Sequence, residues 1–384
     1  MNKKCDELYR IAKRDNNKLR NYLLVNPIQG KHMPVDPIRA LALFKELSQK
    51  VLLKYPNEKF LIIGFAETAT AIGATVATEC PEGTYYIQTT RENIDNSEYL
   101  FFSEVHSHAS EQKLIKNSIN EILKNIDRVI FVEDEVTTGN TILNIKNILL
   151  KEYEEYNLKF GIASILNGME DEIIENFKTI GIECLYIERI KDREFNKKLE
   201  KYSYSKNLKK SLEQEYKENN KIKFFEINVL GEPRKGINAR EYYHNCLIFA
   251  EKIKENLEVK SDYNKKILIL GAEEFMYPGL ILGEKLKTEL ENLEIRFHAI
   301  TRSPILPSIE ENYPLKSRYE LRSFYDENRV VYIYNLEKYD QVIIVHDSKT
   351  ITEFSIKSIV SALEGNDCGN ITIIQWSENN ENFL

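Results

Sequence analysis

"VIFVEDEVTTGNTI", residues 129–142, is the stretch on which the reading of this chain turns. Four apolar residues run straight into Glu133 and Asp134. Thr137, Thr138, Gly139, Asn140 and Thr141 follow before a helix-like pattern resumes. An unpartnered carboxylate is costly to bury, so two adjacent acids at the end of an apolar strand face water or a polar ligand. The hydroxyls and close-packed backbone amides at the start of the next helix make an anion cradle, helped by the helix dipole. A ribose carrying a 5-phosphate satisfies both halves. Its phosphate lies in the cradle, and its 2- and 3-hydroxyls meet the acids directly or through Mg²⁺. The plainer alternative is a strand-to-helix turn with capping threonines.

Outward from this stretch, short apolar runs alternate with helical patterns. "KFLIIGF" (59–65), "TYYIQTT" (84–90), "RVIFVED" (128–134) and "LKFGIASIL" (158–166) read as strands. "AIGATVATEC" (71–80), "EQKLIKNSINEILKNI" (111–126), "NTILNIKNILLKEY" (140–153) and "MEDEIIENFKTIG" (169–181) read as helices. This alternation predicts an α/β fold, a mostly parallel sheet covered by helices, with ligands bound beyond the carboxyl ends of its strands. The stretch 189–223 is dominated by charge and reads as an exposed helical connector, a charge run being usually a solvated face. Apolar strands resume at "KKILILGAEEF" (265–275). The predicted division is 1–190 for the first domain, 191–260 for a charged connector with a basic Gly-containing loop, and 261–384 for a second α/β domain.

The second half echoes the first. "LIIGFAETATAIGATVA" (61–77) lines up with "ILILGAEEFMYPGLILGEKL" (267–286), "YIQTTREN" (86–93) with "HAITRSPI" (298–305), and "DRVIFVEDEVTTGNT" (127–141) with "DQVIIVHDSKTITEF" (340–354). The spacing between partners is nearly constant, which predicts a duplicated domain. The copy is degenerate: His346 stands where Glu133 is, Asp347 remains, and the Thr-Thr-Gly run becomes Thr350-Ile351-Thr352.

Composition bounds the classes. The 384 residues exceed one ordinary core, and 42% hydrophobic with 29% charged residues is usual for a soluble globular chain. A net charge of -7 argues against a broad nucleic-acid or membrane surface. Cys5, Cys80, Cys184, Cys246 and Cys368 contain no C-x-x-C pair and suggest neither a zinc site nor a disulfide framework. The amino-terminal stretch lacks a signal-peptide core and no run is long enough to span a bilayer, so a cytoplasmic location is expected.

The 129–141 stretch resembles the phosphoribosyl-pyrophosphate (PRPP) motif of type I phosphoribosyltransferases: an apolar strand, two acids, two variable residues, then Thr-Thr-Gly-x-Thr. Glu135 is an extra acid, and Asn140 stands where glycine is frequent. The family's pyrophosphate loop follows the first core strand, and "GFAETATAIG" (64–73) stands there. The resemblance thus implies PRPP contacts at Ala66, Glu67, Thr68, Ala69 and Thr70, with Arg91 nearby. An acid such as Glu67 repels pyrophosphate unless Mg²⁺ intervenes. More narrowly, the chain is similar to orotate-phosphoribosyltransferase-like proteins whose C-terminal domain carries a Thr-Arg-Ser-Pro motif. Their genes are associated with tellurite-resistance and stress clusters. Thr301-Arg302-Ser303-Pro304 is that motif here, and "FSEVHSHASEQ" (102–112) matches the subfamily's Glu-x-His-Ser-His element. The implied activity is transfer of a phosphoribosyl group between Mg-PRPP and a base or small-molecule acceptor, with pyrophosphate released. A non-catalytic PRPP sensor is the alternative. A homodimer, or a pseudo-dimer of the two halves, is expected.

Other polar clusters remain to be assigned. Glu104, His106 and His108 alternate, so an extended segment points them to one side, for catalysis, ligand contact, structure or metal binding. Glu133 and Asp134 are the expected Mg²⁺ contacts. Arg234, Lys235 and Arg240 either meet an anionic ligand or pair with surface acids. In the second half Glu273, Glu274, Arg302, Ser303 and Asp347 sit where a polar or zwitterionic ligand would bind. The alternatives are an internal ion pair for Arg302 and helix-dipole complementation for the two acids.

Overall fold

The computed structural model describes residues 8–15, 20–102, 112–191, 194–204, 209–210, 222–257, 265–290 and 292–378. The chain forms two compact units, one of residues 41–191 and 231–245, the other of residues 1–40, 192–230 and 246–384. Both are discontinuous in sequence, an interleaving that a linear division at 190 and 260 does not contain.

The first unit holds a sheet of β1 (Phe60–Gly64), β2 (Tyr85–Gln88), β3 (Arg128–Val136), β4 (Phe160–Asn167) and β5 (Glu183–Arg189). Its order is β2-β1-β3-β4-β5, with the two-residue strand Ile237–Asn238 antiparallel on the β2 edge and all other pairs parallel. The apolar run of β1 is buried at every position, as a central strand covered on both faces requires. Helices α1 (Ala69–Thr78), α2 (Asn140–Glu152) and α3 (Asp171–Thr179) accompany the strands. α1 is built of small residues because it lies hard against β1. A Cβ added to Gly73 would stand 2.9 Å from the Gly64 Cα, and one added to Gly64 would stand 2.7 Å from the Ala69 carbonyl oxygen.

The segment 111–126 corrects the helical expectation. Gln112–Ile115 is a strand, antiparallel to Tyr99–Phe102, and only Ile119–Leu123 is helical. The hairpin partner, together with the bridge from Lys113 to Thr90, overrides the 3.6-residue pattern. The charged connector is also not one helix. Its described parts include the short helix Phe195–Leu199, with both end residues buried, and a strand at Lys223–Asn228.

The second unit has the sheet β6 (Lys223–Asn228), β7 (Lys266–Ala272), β8 (Glu294–Ile300), β9 (Gln341–His346) and β10 (Ile371–Ser377), with α4 (Tyr277–Glu289) and α5 (Glu353–Glu364). Every pair is parallel and the order is β8-β7-β9-β10-β6. Four strands repeat the first unit's plan, and the fifth place is taken by a strand from earlier in the chain. The register repeats too. Gly64 pairs with Gln88 and Val132, and Gly271 pairs with Ala299 and Val345. Asp127 accepts the Lys59 amide at 2.8 Å, as Asp340 accepts the Lys266 amide at 2.8 Å. Thr90 bridges Lys113 on the hairpin Tyr99–Phe102/Gln112–Ile115, and Thr301 bridges Tyr332 on the hairpin Arg318–Arg322/Val330–Tyr334. The aligned glycines, threonines and aspartates therefore occupy equivalent places. A further sheet joins Arg10–Arg14 to Tyr22–Val25 and Ile305–Leu306. Among the described residues no helix is long and apolar enough to cross a membrane.

The close approach at the first core strand should be intolerant in both units. A Cβ on Gly271 would lie 2.7 Å from the Phe275 carbonyl oxygen. Gly64→Ala and Gly271→Ala should each cost roughly 1–3 kcal/mol in urea unfolding, as overpacked positions do. Gly369→Ala, whose new Cβ meets its nearest neighbour at 3.4 Å, should be close to neutral.

Candidate active site

The site of the first unit forms where β1 and β3 part. β1 pairs with β3 as far as Gly64 and Val132, and the Phe65 amide makes one last bond to the Val132 carbonyl at 3.1 Å. β1 then turns away, while β3 stays on β4 through Glu133–Ser164, Glu135–Leu166 and Val136–Asn167. The acids expected just past the strand are therefore inside it. Glu133, Asp134 and Glu135 are all half-buried and flank an edge that β1 has vacated.

The loop that leaves β1, with a cis Ala66–Glu67 peptide, is pinned from beneath. The Ala66 amide donates to Thr89 Oγ1 at 2.8 Å, and Thr89 Oγ1 donates to Gln112 Oε1 at 2.7 Å. Gln112 Nε2 in turn donates to the Ala66 carbonyl at 3.1 Å. Tyr86 OH donates to the Thr70 carbonyl at 2.7 Å. Ala66, Glu67, Thr68, Ala69 and Thr70 are buried, and the Thr70 hydroxyl, expected as a ligand donor, donates to the Glu67 carbonyl at 3.0 Å. Thr89, Gln112 and Tyr86 were not singled out from sequence. Their signal is weak there, because Gln112 lies in the segment whose periodicity reads as helix.

On the other side of the gap, α2 begins at Asn140 behind Gly139, whose φ is 72° and which gives no side-chain cap. The near amide of Asn140 lies 3.4 Å from Thr138 Oγ1, a marginal bond. A Cβ on Gly139 would meet Phe177 at 2.5 Å, so both backbone and space demand glycine. Thr137, Thr138 and Thr141 are half-buried around this turn and Asn140 is exposed. A helix N-terminus with no capping side chain and hydroxyls around it has backbone amides that could serve an anion. Arg91 follows Thr90, which exchanges two backbone bonds of 2.8 and 2.9 Å with Lys113.

Among the described residues no three His, Cys, Asp or Glu side chains converge as a metal cage. Two half-exposed carboxylates fit a Mg²⁺ that keeps several waters and shares substrate oxygens. Glu104, His106 and His108 lie outside the described residues. Arg234 is buried and pairs with Glu232 at 3.0 Å, Arg240 lies 3.4 Å from Glu82, and Lys235 is half-buried.

Residues 8–189 match the profile of the family described as phosphoribosyl transferase, and residues 233–363 match the TRSP domain that lies C-terminal to it. The chain belongs to the phosphoribosyltransferases that carry a TRSP domain. A search of curated proteins gave no match. Among solved structures it is similar to adenine phosphoribosyltransferase from Rhodothermus marinus, at 12% identity over 48% of this chain and 94% of that one, TM-score 0.32. The Giardia lamblia adenine enzyme complexed with 9-deazaadenine gives 12% identity, 48% and 95% coverage, and a TM-score of 0.34. A hypoxanthine phosphoribosyltransferase from Staphylococcus aureus gives 17% identity, 40% and 73% coverage, and a TM-score of 0.25.

In the TRSP unit of this phosphoribosyltransferase the sequence-predicted residues do come together. Arg302 Nε donates to Glu273 at 2.5 Å, and its Nη2 donates to Glu274 at 3.3 Å. Arg329 adds a bond to Glu273 at 3.2 Å, and Ser323 donates to the same carboxylate. Tyr325 OH donates to Asp347 at 2.5 Å. Ser303 accepts a bond from Tyr334 OH on its carbonyl, and its amide donates to Thr301 Oγ1 at 3.2 Å. His346, in the place of Glu133, is buried against the Phe324 ring, and its Nδ1 makes no hydrogen bond. Burial pushes its pKa down to about 4, against a smaller upward pull from Asp347.

In the folded unit His346 stays neutral until about pH 4, whereas the unfolded chain protonates it near 6.5. Its contribution is fully present above pH 6.5 and lost as pH falls from there toward 4. His346→Asn should remove up to about 3 kcal/mol of the acid-side loss, read from urea midpoints between pH 7 and 4.5.

Proposed function

We propose that the first unit binds Mg-PRPP and transfers its phosphoribosyl group to, or accepts it from, a base or small-molecule acceptor. The observation that carries this reading is the uncapped start of α2 behind Gly139, set beside Glu133 and Asp134 at the parting of β1 and β3. The 5-phosphate sits on residues 137–141. The pyrophosphate sits on the loop 66–70 with Arg91. Mg²⁺, when bound, neutralises pyrophosphate charge beside Glu67.

As the acceptor nucleophile bonds to C1, the C1–O bond to pyrophosphate breaks, and positive charge develops on the ribose ring. Glu133 and Asp134 hold the ring hydroxyls and stabilise that charge. The rigid backing of both loops, Thr89–Gln112 under one and Phe177 under the other, supplies positioning without reorganisation. Orotate is the first acceptor to test, since the sequence resembles orotate-type enzymes, followed by other bases and amines.

PRPP with Mg²⁺ should raise the melting temperature by mass action, and Asp134→Ala and Thr138→Val should each reduce that shift. Pyrophosphate release with one member of an acceptor panel establishes transfer. Binding without turnover across the panel would instead favour a PRPP sensor. An unchanged melting curve at millimolar PRPP would sink the site itself.

A further inference from the structure

The TRSP unit repeats the strand order and register of the PRPP-binding unit, and at the three places equivalent to the pyrophosphate, phosphate and ribose places of the first its own side chains engage one another. At the pyrophosphate place the loop after β7 carries Glu273 and Glu274. Their side chains are 1% and 0% exposed and both pair with Arg302, the equivalent of Arg91. Glu273 also takes bonds from Arg329 and Ser323, which lie in the connection of the Arg318–Arg322/Val330–Tyr334 hairpin. One carboxylate thus bridges the strand-end arginine and the hairpin.

At the phosphate place, Thr352 caps α5, its Oγ1 accepting the Ser355 amide at 3.2 Å, where Gly139 leaves α2 without a side-chain cap. The hydroxyls of the preceding loop are engaged as well. Ser348 donates to the Phe324 carbonyl and Thr350 to the Tyr325 carbonyl at 2.9 Å. At the ribose place the first acid is the neutral, buried His346, and the second, Asp347, accepts the Tyr325 hydroxyl.

We propose that the TRSP unit is a self-liganded copy, in which the Glu273 carboxylate stands in for pyrophosphate and holds the hairpin on the site. The chain accordingly has one PRPP site, and the second copy takes no phosphoribosyl compound. This rests on reading the loops of the first unit as a PRPP site, and the test separates the two.

Pyrophosphate and PRPP, each with Mg²⁺, are titrated calorimetrically into the full chain, into Glu273→Ala/Glu274→Ala, and into that variant with Arg302→Ala added. Melting curves establish that each is folded. The parent should bind one equivalent per chain. The double variant should bind one more pyrophosphate, because Arg302 loses the Glu273 and Glu274 carboxylates and Arg329 loses that of Glu273, and Arg302→Ala should remove the gain. Two equivalents on the parent, or no gain in a folded double variant, would overturn the proposal. A parent that binds nothing refutes the reading of the first unit, and a gained site in the double variant would still support the second. If the double variant does not fold, the Asp134→Ala/Thr138→Val chain decides: PRPP binding that keeps the parent's affinity there overturns the proposal, and binding weakened or lost supports it.

Discussion

The candidate site of this protein hangs on one break in backbone pairing. In the order β2-β1-β3-β4-β5 the chain leaves β1 toward one edge of the sheet and returns on its other side as β3. The loops after β1 and β3 therefore run in opposite directions and leave a crevice between them. Gly64 lets β1 turn at that level, because α1 sits too close for any side chain. β3 keeps its ladder to β4 alone, so its acids are held in an extended strand while one flank is empty. A carboxylate on a strand is placed more rigidly than one on a loop. That rigidity is what an electrostatic role at a developing cation needs.

The acidic strand end and Thr-Thr-Gly turn were legible in sequence because their spacing is dictated by local chemistry. Gly139 has a left-handed φ and no room for a side chain, so the position admits little else. The twofold plan was legible for a similar reason, since Asp127 and Asp340 each tie the start of a core strand through one side-chain bond. The supports were not legible. Gln112 contacts Ala66 and Thr89 across 46 and 23 positions of sequence, and nothing local marks it. β6 was hidden for another reason. Its lysine- and glutamate-flanked residues form a strand paired, among the described residues, with β10 alone at the sheet edge, and edge strands tolerate charge that a central strand would not.

In the second unit the equivalent strand ends are bridged by the protein's own side chains. A guanidinium held largely out of water is stable only beside an anion, and removing the anion is strongly destabilising. A ligand site meets that need intermittently and is weaker when empty. Glu273 meets it permanently, and does so from a backbone φ of 49°, a left-handed conformation that a glutamate rarely adopts. A residue in that region needs surrounding contacts that over-determine it. Here two arginines and a serine converge on its carboxylate. The strain and the ion pairs are thus one feature: the backbone bends the wrong way because that bend delivers an anion to Arg302. Once it is delivered, the fold no longer depends on a bound molecule at that edge. At the place equivalent to Glu133 stands His346, buried against the Phe324 ring, and its burial costs stability only as the pH falls below about 6.5.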